Sequence, residues 1–205
     1  MLSTLFTNPL LFLIWAIGLI LAISVHEYAH ARFADQLGDP TPRSQGRLTL
    51  DPRAHLDPLG TIALLFLGFG WGRPVQFDPY NLRNPRRDSA LIAIAGPISN
   101  LLFALVLSLI MRLIPPLSIL YSVFPILIIM NISLAIFNLV PIFPLDGEKI
   151  LGGLLPSALY QEFATIMRQY GTIILILMLL PIAGDTSPIV ALISPVISFV
   201  AGLLL

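Results

Sequence analysis

The sequence contains no cysteine, so it has neither disulfides nor thiolate metal ligands, and it carries no redox clue to its compartment. Charge is scarce. Only 11% of the 205 residues are Asp, Glu, Lys or Arg, against about 25% in soluble domains. That shortage excludes a soluble globular domain, and the 57% hydrophobic content excludes disorder. Basic and acidic residues balance at 11 each, so there is no electrostatic footprint for nucleic acid. Internal repeats and low-complexity linkers are absent as well. Residues 1–8 hold no Lys or Arg, and no small-residue cleavage site precedes the first charged cluster. The first apolar stretch therefore reads as a retained helix rather than a cleaved signal peptide.

What is present is long apolar sequence. Apolar stretches run over 9–25, 59–71, 90–111, 117–145, 170–183 and 188–205. A spanning helix needs about 20 apolar residues, which leaves room for about five to six membrane segments and no separate soluble domain. The expected fold is an all-α polytopic membrane protein, a single domain over 1–205. The 59–71 stretch is short for a span and is bounded by Gly60, Gly68, Gly70 and Gly72. Both its flanks are basic, with Arg32, Arg43, Arg47 and Arg53 before it and Arg73, Arg83, Arg86 and Arg87 after it. Positive residues favour the cytoplasmic side, so both flanks are expected there and the stretch reads as re-entrant. The alternative is a sixth crossing. Segments 46–57 and 72–80 alternate apolar and polar residues between Gly and Pro, which reads as short strands or as irregular interfacial loop.

The chemistry concentrates at the end of the first helix, in His26-Glu27-Tyr28-Ala29-His30. Histidines at i and i+4 share one helical face, so both imidazoles can reach one zinc ion, with Glu27 beside the bound water. The sequence has just three histidines and two stand here. A catalytic zinc takes three protein ligands and keeps one position open. Asp35 is turned away from the histidine face, and Asp51 and Asp57 lie among arginines. Asp146 ends the apolar run FNLVPIFPLDG, after Pro141 and Pro144 and before Gly147. Those prolines predict an unwound helix near 138–147, and a carboxylate there needs a cationic partner. The charge pattern also returns Asp146 to the side of His26 and His30. Asn138 is a candidate oxyanion donor, since an amide in an apolar helix needs a reason to be there. Asn100 and Asn131 read as packing asparagines that bond between helices.

Taken together, the His-Glu-x-x-His helix and the distant Asn138…Pro141…Pro144-Leu145-Asp146-Gly147 resemble the site-2 protease family of intramembrane zinc metalloproteases. DPRAHLDPLGT (51–61), GWGRPV, YNLRNPRRD (80–88) and AGPISN (95–100) extend that resemblance over nearly the whole chain. It implies a compact bacterial or archaeal form without PDZ or CBS domains. A three-helix core from 9–31, 90–111 and 117–145 would surround one Zn2+, giving a catalytic core of about 9–147 and accessory helices over 148–205. His26, His30 and Asp146 would bind the metal, and Glu27 would be the general base. His55, often present in this branch, would make an oxyanion contact or serve as an auxiliary ligand; a loop histidine paired with Asp51 or Asp57 is the alternative. Gly70 and Gly72 would let an extended substrate approach a strand edge. The implied partner is a transmembrane segment of a membrane protein within the bilayer of the cell membrane, with the active site toward the cytoplasm. A metal transporter or a silent scaffold using the same ligands is the competing function.

Overall fold

The computed structural model describes residues 6–67, 71–181 and 186–205. The helices are α1 (Pro9–Gln36), α2 (Thr41–Ser44), α3 (Pro52–His55), α4 (Pro58–Leu67), α5 (Pro85–Met111), α6 (Ile119–Asn138), α7 (Asp146–Leu154), α8 (Ser157–Leu179) and α9 (Pro188–Leu204), with a 3-10 turn at Pro79–Asn81. Four of these, α1, α5, α6 and α8, are long and apolar enough to cross a membrane. The apolar α9 is shorter, at 17 residues. Helix α4 has 10 residues, which is about 15 Å, half the hydrocarbon thickness of a bilayer. Gly68 and Gly70, singled out in the sequence, lie outside the described residues.

Helix starts follow local chemistry. Asn8 accepts a hydrogen bond from the Leu11 amide ahead of Pro9, and α1 then runs unbroken through both histidines to Gln36. A proline in the first turn of a helix costs nothing, because the amide it lacks has no helical partner there. The same rule bears on segment 46–57, for which the sequence left strand and irregular loop open. Segment 46–57 forms no strand, because the Asp51 side chain accepts from the Arg53 amide and Pro52 opens one helical turn, α3. Segment 72–78 is extended, yet among the described residues its strand pairing is one antiparallel bridge, Leu56 to Gly72. Pro74 cannot donate to a ladder. The bridge sets the two ends of the 57–71 stretch side by side. A Cβ on Gly60 would also collide with the Trp71 carbonyl.

Helices α1, α5 and α6 pack against one another. Small buried side chains let them approach closely: Ala22, Ala31 and Ala34 on α1, Ala93, Ala95 and Ala104 on α5, and Ala135 on α6. This is the usual device between helices in lipid, where packing rather than water exclusion drives association. A larger-residue cluster of Leu107, Met111, Ile128 and Ile132 closes the far end of α5 and α6. Outward faces stay apolar, as at Leu13, Ile17, Leu102 and Leu109, all more than half exposed. Helix α7 lies against α5, where Gly153 meets the Ala90 Cβ.

The polar end of the bundle is tied together by Asp39, which is fully buried. Its carboxylate accepts from the Thr41 amide and hydroxyl, the Asn81 side chain and the Asp78 amide, at 2.6–3.1 Å. Burial alone would raise its pKa, but the hydrogen bonds from Thr41, Asn81 and Asp78 outweigh it and hold the carboxyl below its ordinary value. A depressed folded-state pKa gives stability that is complete above the unfolded value of about 3.9 and is lost as pH falls through the lower folded value. Asp39→Asn should therefore lower stability near neutral pH by about 2 kcal/mol and flatten its dependence below about pH 4. Thermal unfolding in detergent across that range checks both; an unchanged acid limb would count against the Asp39 anchor.

Candidate metal centre

His26 and His30 lie one turn apart on α1, and Asp146 is the first residue of α7, where a helix N-terminus favours a carboxylate. Asp146 Oδ2 lies 3.0 Å from His26 Nε2 and 3.2 Å from His30 Nε2. One ligand atom from each of the three falls within 4.8 Å of the others. Ligands at about 2.0–2.1 Å from a tetrahedral zinc are about 3.3 Å apart, so the spacing suits that ion. Both imidazoles are buried, at 4% and 7% exposure.

The proton positions follow from the surroundings. Asn100 Nδ2 donates to the Ala22 carbonyl and to Asn131 Oδ1, both at 2.9 Å. Asn100 Oδ1 is therefore an acceptor, and the 2.7 Å contact to His26 Nδ1 puts the proton on that nitrogen. His30 Nδ1 donates to the Ile92 carbonyl at 2.7 Å. With both Nδ1 atoms committed, two Nε2 lone pairs and a carboxylate converge on one point. That arrangement is repulsive without a cation, so the residues fit a divalent metal. Second contacts of this kind orient metal-binding imidazoles and raise their basicity.

Gly96 on α5 completes the fit. A Cβ there would sit 2.5 Å from His30 Nε2 and 2.6 Å from His26 Cε1. The run AGPISN thus supplies a gap for the two rings through Gly96 and an anchor through Asn100. Asp146 reaches α1 because α6 stops at Asn138 and the chain crosses back without helix until Asp146. Gly147 allows this return, since a Cβ would lie 2.3–2.4 Å from the Val140 and Leu139 carbonyls.

A cavity of about 390 Å³ opens beside the three residues. Glu27, Asn138 and Lys149 line it together with mainly apolar side chains, among them Leu19, Ile23, Leu134 and Phe137. Glu27 Oε2 accepts from the Val75 amide at 2.8 Å, so the extended segment 72–77 runs past the carboxylate. The Arg73 amide of that segment donates to the His55 carbonyl at 2.8 Å, and its carbonyl accepts from the Arg47 guanidinium.

The structure thus brings His26, Glu27, His30, Asn138 and Asp146 to one cavity. Asn138 also donates to the Leu134 carbonyl of its own helix at 2.9 Å. His55 is not brought there. It is fully buried and its Nε2 donates to the Thr49 carbonyl at 2.7 Å, while Asp51 bonds to Arg53 and Asp57 to the Gly60 amide. The His55 carbonyl meets the Arg73 amide of segment 72–75, and its ring is not among the side chains that line the cavity. Asp35 pairs with Arg43 at 2.7 Å and Asp51 with Arg53 at 2.7 Å, away from the histidines. Asp57 instead caps α4 through the Gly60 amide. Sequence reasoning treated Asn100 and Asn131 as packing residues and passed over Gly96. The signal for Gly96 and Asn100 was their i, i+4 spacing in the AGPISN run of α5, whereas Asn131 stands alone on α6.

Two substitutions test this arrangement. Asn100→Leu should weaken zinc binding about 10–100-fold by freeing the His26 ring. Gly96→Ala should remove stoichiometric zinc, because the new methyl displaces both imidazoles. Competition against a chelator and metal analysis of the purified variants measure these; full zinc affinity in both would refute the packing described here.

A profile described as Peptidase family M50 matches residues 116–179. Relatives carrying the name "Putative zinc metalloprotease" include YwhC of Bacillus subtilis (strain 168), 39% identical over 178 residues, 82% of this chain and 81% of that protein. Rip2 of Mycobacterium tuberculosis (strain H37Rv) is 32% identical over 142 residues, 65% of this chain and 54% of Rip2. MJ0611 of Methanocaldococcus jannaschii is 36% identical over 93 residues, 45% of this chain and 49% of MJ0611. No solved structure matches the chain significantly. With four helices of membrane-spanning character and a metal-competent His-His-Asp group, the chain belongs to peptidase family M50, the zinc metalloproteases of site-2 type.

Proposed function

We propose that the protein is an intramembrane endopeptidase that hydrolyses peptide bonds within or next to transmembrane segments of other membrane proteins. The observation that carries this reading is the placement of Glu27 and the His26, His30 and Asp146 group on one cavity bounded by spanning helices. His26, His30 and Asp146 would hold one zinc ion. A zinc ion in such a site lowers the pKa of bound water and polarises the scissile carbonyl.

The chain's own groups do the rest. Glu27 takes the proton of the attacking water and passes it to the leaving amine. Its contact with the Val75 amide aims the carboxylate and keeps it from collapsing onto the histidines. Asn138 spends one N–H on Leu134, and its second can meet the charge that develops on the carbonyl oxygen. Apolar walls from Leu19, Ile23 and Phe137 restrict water around the reacting bond.

A transmembrane helix shields its own peptide groups, so it must unwind before attack. The extended segment 72–77 offers the unwound strand an edge beside Glu27. In this reading the 59–71 stretch is re-entrant, for which the Leu56 to Gly72 bridge and the ten-residue α4 speak. The catalytic core is 9–147. The accessory part 148–205 contributes Lys149, Leu175 and Leu179 to the cavity wall. Arginines cluster at the metal end of the bundle, which supports a multi-pass protein of the cell membrane with its site on the cytoplasmic side.

Glu27→Gln should keep about one zinc per chain and lose cleavage by about 10²–10⁴-fold. Asp146→Ala and His26→Ala should lose the metal, while Asp35→Ala keeps it. A synthetic membrane-spanning peptide with a Gly-Pro pair, in liposomes with the purified protein, should be cut faster than a uniform Leu-Ala helix. Equal rates would defeat the unwinding step, and zinc flux into vesicles without cleavage would favour a transporter.

A further inference from the structure

Lys149 is the sole lysine of the sequence, and it lies on the wall of the catalytic cavity. It is half-buried, and its ammonium has no hydrogen-bond or ion-pair partner among the described residues. The other charged groups of the cavity are engaged. Asp146 faces the two imidazoles, and Glu27 holds the Val75 amide. Those two carboxylates offset the charge of a zinc ion, so the charge of Lys149 is the one left without a counterpart. On this mainly apolar wall, an ammonium without a partner gains most from an anion that enters the cavity with its occupant.

We infer that Lys149 is a specificity-determining residue that binds a carboxylate of the substrate strand close to the scissile bond. The inference rests on the proteolytic reading above. Polypeptide is the substance a protease cavity admits, and carboxylate is the anion polypeptide carries. Residues three apart on a helix share a face, with Cβ atoms about 5–6 Å apart. Lys149 and Asp146 are so related on α7. An extended chain advances about 3.3 Å per residue, so the bound carboxylate lies within about three residues of the cut. It is either an Asp or Glu side chain or the C-terminus of a segment already trimmed by another enzyme.

The probes are synthetic membrane-spanning peptides with a central Gly-Pro pair, given to the zinc-loaded full chain in liposomes. Each carries one Asp, Asn or Lys within three residues of the cut, and a further set ends there as a free acid or an amide. Wild type should cleave an Asp or free-acid peptide about tenfold or more better in kcat/KM than its neutral twin. In Lys149→Gln that ratio should fall to near one, and in Lys149→Glu the preference should pass to the Lys peptide. Preference for the free-acid set alone identifies a C-terminus, and preference for the Asp set identifies a side chain.

A second readout needs no turnover. In Glu27→Gln, acylation of Lys149 by an amine-reactive reagent, followed by mass spectrometry, should be slowed by the acidic peptide and not by its neutral twin. Cleavage with the same acid-to-neutral ratio in wild type and Lys149→Gln overturns the carboxylate site alone. Protection of Lys149 without any cleavage above Glu27→Gln overturns the proteolytic reading alone. Neither cleavage nor protection overturns both.

Discussion

Everything near the functional site depends on one meeting. Two imidazoles from α1 and one carboxylate from α7 share a space whose atoms are 3.0–3.2 Å apart. Each group is unfavourable there alone. Two neutral Nε2 atoms and a carboxylate repel, and a lone carboxylate among spanning helices is costly. The arrangement is held because the surrounding helices leave these side chains no other place. Gly96 leaves room for the rings, Asn100 and the Ile92 carbonyl set their rotation, and Gly147 lets α7 start against the end of α6.

This explains why the bundle is built from small residues where it matters. Three helices meet closely through alanines, and the His26, Asn100 and Asn131 side chains they enclose are bonded to one another and to backbone carbonyls. The chain His26, Asn100, Asn131 and the Leu127 carbonyl is a continuous hydrogen-bonded line through the core. Each asparagine in it donates and accepts, so burial at 0% and 1% exposure leaves neither Asn100 nor Asn131 unsatisfied. The line also sets the tautomer of the His26 ring. Stability and chemistry therefore use the same contacts.

The polar end serves the cavity in a different way. Asp39 gathers the turn after α1 and the turn at Pro79–Asn81, which anchors the end of the extended segment 72–78. The segment's other end is pinned to α3 by the His55 carbonyl. Between these anchors, Val75 is held against Glu27. His55 acts here through its backbone and its packing. The sequence directed attention to its ring, at the site or paired with Asp51 or Asp57, since a histidine's side chain is the visible feature and its carbonyl is not.

Much of this was legible beforehand. The scarcity of charge and the run lengths are properties of composition, and lipid admits just a few backbone arrangements, so a helical membrane protein followed directly. His26, Glu27 and His30 were readable because a helix of 3.6 residues per turn places i and i+4 together whatever surrounds it. Asp146 was readable because Pro141 and Pro144 must interrupt a helix. Period-two alternation left 46–57 open between strand and loop, and there one capping Asp followed by Pro favours a turn of helix locally. What the linear order could not contain is which carbonyl, which gap and which amide meet across helices. Asn100 is 74 residues from His26 and Val75 is 48 from Glu27. Local sequence determines the period and ends of each element, but side-chain partners between elements depend on crossing and rotation, which only the packed tertiary structure decides.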